Sequence, residues 1–323
     1  MSSRVFGQRR SQRRHETGPD SVPGVPQGPT LEWLGCATFR LRLRGLTLFF
    51  DSYLDGDRAP SAPLVGLRAT DVTDADFVFV SHAHFDHMLG ADTIAARTGA
   101  TVVGSYEVAR ILTADGLPGD QILRVSGGEP VDCGHGVRIR AFPSLHSCLY
   151  ASGSRDSATE CVGHLGISAQ QRDAATMEMF SLVPSLGEPV AGWADRNAHR
   201  SSPRDGGQLS YLIESPDGCI FVSSSAGYWS GIIADLRPDL AILAASGRPN
   251  INGEPYQGSL AHFLLAEVEL LRPHRIVFSH HDALMPPLLT ETDTGEAAAV
   301  LAAEANYAPL LTLPYNDAVP ILR

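Results

Sequence analysis

The feature that most constrains this chain is a cluster of three histidines and one aspartate within six residues. The cluster directly follows the largely apolar residues 76–80, which predict a buried strand. Its members are His82, His84, Asp86 and His87. Imidazole and carboxylate groups are ligands that suit Zn²⁺, and also Mn²⁺ or iron. Because the end of a buried strand supports a loop rigidly, we expect this cluster to form a metal site.

One short loop cannot enclose two metal ions, since each ion needs at least three protein ligands and an open position. Further histidines follow other predicted strands. His146 comes after the strand predicted at 137–142, and His280 comes after the one at 275–278. Each alone is typical of a hydrogen-bonded structural histidine, but beside the first cluster they complete a two-metal set. His281 competes with His280, which we prefer because it comes first after the strand.

The composition excludes several classes of function. Apolar residues make up 43% of the 323 residues and the formal net charge is −11, so nucleic acid is a disfavoured partner. No run of about 18 apolar residues predicts a membrane span. The five cysteines lack CxxC spacing, which fits a reducing cytoplasm. All 25 basic residues are arginine, so lysine Schiff-base chemistry is excluded.

The pattern along the chain predicts one α/β domain over residues 29–323. Residues 1–28 are rich in arginine and then in proline and glycine, and we expect a disordered tail there. Strands come early in hairpins, then alternate with helices, and this pattern recurs. Residues 150–207, rich in serine, glycine, aspartate and arginine, interrupt it. We call this segment the insertion, and it indicates a lid, a substrate-binding loop or partial disorder.

The order of Asp51, the histidine cluster, His146, a turn near Ser225, and His280 resembles the metallo-β-lactamase superfamily. The resemblance covers about residues 30–290 and implies a four-layer αββα sandwich. The segments 33–38 and 51–54 look like the branch that includes L-ascorbate-6-phosphate lactonase. N-acyl-phosphatidylethanolamine phospholipase D, a phosphodiesterase, has similar motifs.

The resemblance also implies two divalent ions, with Zn²⁺ preferred and Mn²⁺ or iron as alternatives. It assigns the first ion to three histidines and the second to three further side chains. Asp51 would accept a hydrogen bond that orients a ligand imidazole, and Asp86 would also orient the attacking hydroxide. The implied ligand sets are His82, His84 and His146 for the first ion, and Asp86, His87 and His280 for the second.

Three features depart from the family pattern. Ser225 stands where a bridging aspartate is usual, so hydroxide alone bridges the ions, or the second site is weak, or activity is lost. One metallo-β-lactamase subclass also has serine there and works with two zinc ions. Cys36 stands where a histidine is frequent, which puts a substrate-side contact in doubt. The insertion is long, which indicates a specialised pocket.

The leading functional hypothesis is hydrolysis of a small-molecule ester, lactone or amide by metal-activated water. A phosphodiesterase is the alternative, which arginines in the pocket would favour; Arg196, Arg200 and Arg204 are the candidates. A redox or non-catalytic member of the superfamily is a further alternative. Against redox function, His84 stands where diiron flavoproteins have glutamate, and Ser225 replaces the aspartate of persulfide dioxygenases. The oligomeric state stays open, with a homo-oligomer among the alternatives.

Overall fold

The computed structural model describes residues 28–151 and 157–322. Apart from Gly28, the predicted disordered tail lies outside the described residues. Seven strands form the first sheet, which is antiparallel at one side and parallel at the other. In spatial order they are Val319–Pro320, Thr30–Trp33, Phe39–Leu43, Leu46–Phe50, Phe77–Phe79, Thr101–Gly104 and Ile122–Arg124.

Six strands form the second sheet, which is also mixed. In spatial order they are Arg275–Ser279, Leu240–Ala244, Gly218–Ser223, Leu209–Ser215, Val137–Pro143 and Pro130–Gly134. Two small sheets complete the described strands. They consist of Gly227–Tyr228, Asn250–Ile251 and Glu254–Pro255, and of Gly258–Ser259 with Glu160–Cys161.

The two large sheets pack face to face, and helices cover their outer faces. One apolar cluster lies between the sheets and joins Leu48 of the first sheet to Ile242 of the second. A second cluster packs helices Ala91–Thr98 and Tyr106–Ala114 on the first sheet, and a third packs Leu260–Leu271 on the second. These layers confirm the predicted four-layer αββα sandwich. The remaining described helices are Phe85–Met88, Val190–Asn197, Ala169–Phe180, Ser230–Ile233 and Gly295–Glu304, with 3₁₀ turns at Ala69–Asp71, Gly119–Gln121 and Val183–Leu186.

The strand directions bring the chemistry-bearing loops to one edge of the sandwich. In the first sheet, Leu46–Phe50 runs parallel to Phe77–Phe79, so Asp51 and the histidine cluster leave the same edge. In the second sheet, Gly218–Ser223 and Arg275–Ser279 both run parallel to Leu240–Ala244. The loops after these strands therefore leave the second sheet at a common edge, as carboxyl ends of parallel strands do.

The described part of the insertion has structure of its own. Its helix Ala169–Phe180 is capped by Ser168. The Ser168 hydroxyl accepts a hydrogen bond from the Gln171 N–H in a capping box. No residue of that helix is buried. In contrast, Trp193 in the helix Val190–Asn197 is buried. Within residues 28–151 and 157–322, no helix has the length and apolar composition that crossing a bilayer requires.

Candidate metal centre

Side chains from four separate loops converge at the common edge in two neighbouring groups. In each group, one donor atom from every member lies within 4.8 Å of those of the others. We call the first the three-histidine group; its members are His82, His84 and His146. We call the second the cysteine-containing group; its members are Cys36, Asp86, His87 and His280. All six metal ligands predicted from the sequence therefore lie in these two groups.

The three-histidine group consists of closely packed imidazoles. His82 Nε2 lies 3.0 Å from His84 Nδ1. The His146 ring centroid lies 4.7 Å from that of His82 and 4.6 Å from that of His84. Burial, and then the neighbouring imidazoles, hold the pKa of His82 and of His84 well below the usual range. Both rings are therefore neutral, the form in which histidine binds a metal ion.

The cysteine-containing group includes one ionised carboxylate, that of Asp86. His280 Nε2 lies 3.0 Å from Asp86 Oδ2 and 3.2 Å from His87 Nε2. Burial raises the pKa of Asp86, but His87 and His280 outweigh it and hold that pKa well below the usual range. Burial lowers the pKa of His87, but Asp86 and Asp51 outweigh it and raise it to about 10. This group therefore attracts a cation. Without a metal ion, His87 is protonated and supplies the positive charge.

Hydrogen bonds behind the rings fix which nitrogen faces the centre. Asp51 Oδ2 accepts a hydrogen bond of 2.8 Å from His87 Nδ1, which leaves His87 Nε2 directed at Asp86. Asp51 also accepts hydrogen bonds from the backbone N–H and hydroxyl of Ser81. His146 Nδ1 donates to the Ser147 carbonyl at 2.8 Å. Carboxylate and carbonyl partners of this kind orient metal-binding histidines and set their tautomer.

Ser225 lies at the centre, but its hydroxyl contacts a loop. That hydroxyl accepts a hydrogen bond of 3.0 Å from the backbone N–H of Ser147, beside His146. The Asn250 amide donates to the His146 carbonyl at 2.9 Å. Ser225 therefore supports the His146 loop from the position where the family pattern has a carboxylate.

The two adjacent histidines after the strand Arg275–Ser279 contact different residues. His281 stacks on the Trp33 ring, with centroids 4.8 Å apart and the planes inclined by 19°. His280 turns to Asp86 and His87 instead, and its backbone adopts a φ of 61°. The structure thus brings His280, and not the competing His281, to the centre.

The donor set fits divalent metal ions. Electron-rich atoms converge at both groups, since pairs of imidazole nitrogens approach to 3.0 and 3.2 Å. A buried arrangement of this kind needs a shared proton or a cation between the donors. Imidazole, carboxylate and thiolate are all established ligands of divalent transition metals.

A partly open cavity of about 100 Å³ lies over the centre. Its floor includes His84, Asp86, His146 and His280. Most of its walls are apolar and come from the insertion and from residues after His280. These wall residues are Met179, Phe180, Val183, Leu284, Met285, Leu288 and Leu289. The Phe180 ring centroid lies 5.5 Å from that of His84, so the insertion contributes directly to the cavity.

The arginines considered from the sequence lie elsewhere. Arg200 pairs with Asp57 and Asp92, and Arg204 pairs with Asp173. Neither of them, nor Arg196, is among the residues that line the cavity. Arg248 is the single arginine among the described lining residues, and it was not predicted from the sequence. Its position shortly after the strand Leu240–Ala244 was the available signal.

Comparison with known proteins agrees with this geometry. Residues 48–173 match the family model described as a Beta-lactamase superfamily domain. A UPF0173 metal-dependent hydrolase of Pyrobaculum neutrophilum is 29% identical over 119 residues, which are 36% of this chain and 50% of the relative. One from Methanopyrus kandleri is 34% identical over 117 residues, 36% of this chain and 47% of the relative. The matched segment thus spans about half the length of these curated relatives.

Solved structures resemble this chain in fold over a larger part of its length than the sequence matches cover. Igni18, a metallo hydrolase of Ignicoccus hospitalis, has a TM-score of 0.55 at 19% identity, with 90% of this chain and 97% of that chain covered. An isothiocyanate hydrolase from Delia radicum gut bacteria has a TM-score of 0.55 at 14% identity, covering 90% of this chain and 98% of that chain. The match over residues 48–173 and the shared fold support a relationship to the metallo-β-lactamase superfamily.

Proposed function

We propose that this protein is a metal-dependent hydrolase that cleaves a small-molecule ester, lactone or amide with an apolar substituent. The observation that carries the proposal is the pairing of two cation-binding groups with one mostly apolar cavity. The curated relatives are named metal-dependent hydrolases, which supports the reaction class. The lactonase-like segments of the sequence favour a cyclic ester within that class.

The proposal assigns one divalent ion to each group, with Zn²⁺ preferred. When bound, such ions supply Lewis acidity and make water nucleophilic near neutral pH. Asp86 stays ionised in the cofactor-free protein and lines the cavity, so its carboxylate can accept a hydrogen bond from the attacking water. Asp51 holds His87 in one tautomer and lies outside the cavity lining, which makes it a positioning residue.

The apolar wall favours a carbonyl substrate over a phosphodiester. Phe180, Met179 and Leu288 bury apolar surface of a bound molecule at about 25 cal/mol per Å² and exclude water from the reacting bond. A phosphodiester carries a charge that clustered arginines recognise. One arginine, rather than a cluster, lines this cavity within the described residues, so we retain the phosphodiesterase as an outcome of the test.

The test uses metal-loaded protein against aryl esters, lactones, an anilide and bis(p-nitrophenyl) phosphate. We expect turnover of a carbonyl substrate and its loss in His84→Ala, because that change removes one member of the three-histidine group. His164→Ala, at an exposed position of the insertion, is the matched control and should keep wild-type turnover.

Three results would change the proposal. Turnover of the phosphate diester alone would favour the phosphodiesterase. Two bound ions per chain without turnover of any panel member would contradict this hydrolase while leaving the metal centre standing. Equal activity of wild type and His84→Ala would assign the reaction to another site or to a contaminant.

A further inference from the structure

We infer that Cys36 is a thiolate ligand of the second metal ion, beside Asp86, His87 and His280. The inference rests on the metal centre of the proposed function, but it does not depend on any hydrolytic activity. In the sequence, Cys36 stands where a histidine is frequent in the family, which put a substrate-side contact in doubt. The structure instead gathers its sulfur with the donor atoms of the other three residues, all within 4.8 Å of one another.

The sulfur lies inside the group. Cys36 is fully buried, and its Sγ lies 3.6 Å from Asp86 Oδ2. That same carboxylate oxygen accepts a hydrogen bond from His280 Nε2 at 3.0 Å and lies 3.1 Å from His87 Nε2. The thiol therefore shares its nearest polar neighbour with both imidazoles, as a fourth ligand of one ion would.

The Cys36 backbone is fixed from both sides. Its N–H donates to both carboxylate oxygens of Asp282, at 2.9 and 3.0 Å. Its carbonyl accepts hydrogen bonds from Trp33 Nε1 at 2.9 Å and from the His280 N–H at 2.8 Å. The last contact joins the cysteine directly to a predicted ligand of the same ion, so the two residues keep one relative position.

The backbone of Cys36 also adopts an uncommon conformation. Its φ is 50°, in the left-handed region that a residue with a side chain rarely adopts. Such a residue persists where its surroundings determine it, and this pattern clusters at functional sites. Here the surroundings are Asp282 and the two residues that hold it, Arg58 at 3.2 Å and Tyr315 at 2.8 Å.

A thiolate ligand compensates for the negative charge that the usual bridging carboxylate supplies and Ser225 does not. Ser225 supplies a neutral hydroxyl that already accepts a hydrogen bond from Ser147. Without Cys36, the second ion has three protein ligands, of which Asp86 alone is an anion. A thiolate adds a second negative charge and a soft donor that Zn²⁺ binds well.

The Cys36 thiol is buried beside the Asp86 carboxylate. On coordination, the S–H bond breaks, the sulfur lone pair binds the ion and the proton leaves to solvent.

Cobalt substitution provides the first test. The full-length protein is loaded with two equivalents of Co²⁺ and its absorption spectrum is recorded. We expect a near-ultraviolet cobalt–thiolate charge-transfer band that Cys36→Ser removes. Cys148→Ser is the matched control, because Cys148 lines the same cavity but its sulfur contacts Tyr150 Oη and the Pro249 carbonyl. That variant should keep the band.

Zinc X-ray absorption on the wild-type protein supplies a readout that needs no variant. We expect a sulfur shell at about 2.3 Å beside nitrogen and oxygen at about 2.0–2.2 Å. If both metals bind without a cobalt–thiolate band and without a sulfur shell, the Cys36 inference is wrong and the metal centre stands. A band that persists in Cys36→Ser also overturns the inference. If the wild-type protein binds neither metal, the proposed centre fails together with the inference.

Discussion

The two groups of the proposed metal centre differ in the means by which they would hold cations. The three-histidine group has no charged member, because burial and neighbouring imidazoles lower the pKa of His82 and His84. The cysteine-containing group has an ionised Asp86, a thiol, and Asp51 behind His87. The first group therefore depends on the geometry of two loops, and the second depends on charge. Changes of charge and changes of loop geometry should consequently affect the two ions unequally.

The largest expected difference follows from Asp86→Asn. This change keeps the side-chain shape but removes the charge that raises the pKa of His87. Loss of a residue that merely orients a ligand costs about 10–100-fold in metal affinity, so loss of the ligand charge should exceed about 100-fold for the second ion. The ion of the three-histidine group should change far less. Metal content after dialysis, together with competition against a chelator, measures both affinities.

The control for that change is Asp92→Asn. Asp92 lies on the helix Ala91–Thr98, outside both groups, and forms an ion pair with Arg200. The Asp92→Asn protein should bind two ions per chain. Equal weakening of both ions in Asp86→Asn would contradict the division of the centre into a neutral and a charged half.

Asp51→Asn should give the next largest effect. The amide side chain would keep an oxygen near His87 but lose the negative charge that fixes the Nδ1 proton. We expect the second ion to bind about 10–100-fold more weakly and the first to be unaffected. Asp55→Asn is the control, since Asp55 is buried nearby but accepts hydrogen bonds from the backbone of Val65 and Gly66. A loss confined to the first ion would show that Asp51 acts through another residue.

Local sequence patterns predicted the parts of the centre that follow strands. The cluster after residues 76–80, His146 and His280 all leave strand ends at one edge, so periodicity and residue type were enough to select them. Asp51 was selected through the family resemblance, and it too follows a strand. The four-layer arrangement likewise came from that resemblance, because periodicity alone indicated an α/β fold.

The contribution of Cys36 was not visible in the sequence, because it depends on contacts between distant parts of the chain. Its N–H is held by Asp282, which is 246 residues away along the chain. No local pattern encodes that contact or the positive φ of Cys36. Phe180 presents the same difficulty, since its helix in the insertion has no buried residue and a weak apolar pattern. Long-range packing alone brings Phe180 over His84.

Ser225→Ala should give the smallest effect and the sharpest comparison. The change removes the acceptor for the Ser147 N–H, a hydrogen bond worth about 0.5–1.5 kcal/mol. That loss loosens the loop that carries His146 and should weaken the first ion by about 2–10-fold. The second ion should not respond, because Cys36 and Asp86 supply its charge. Ser224→Ala, on the same turn but outside the cavity lining, should leave both affinities unchanged. Equal weakening of both ions in Ser225→Ala would instead mean that the serine bridges them, and the two halves would then act as one.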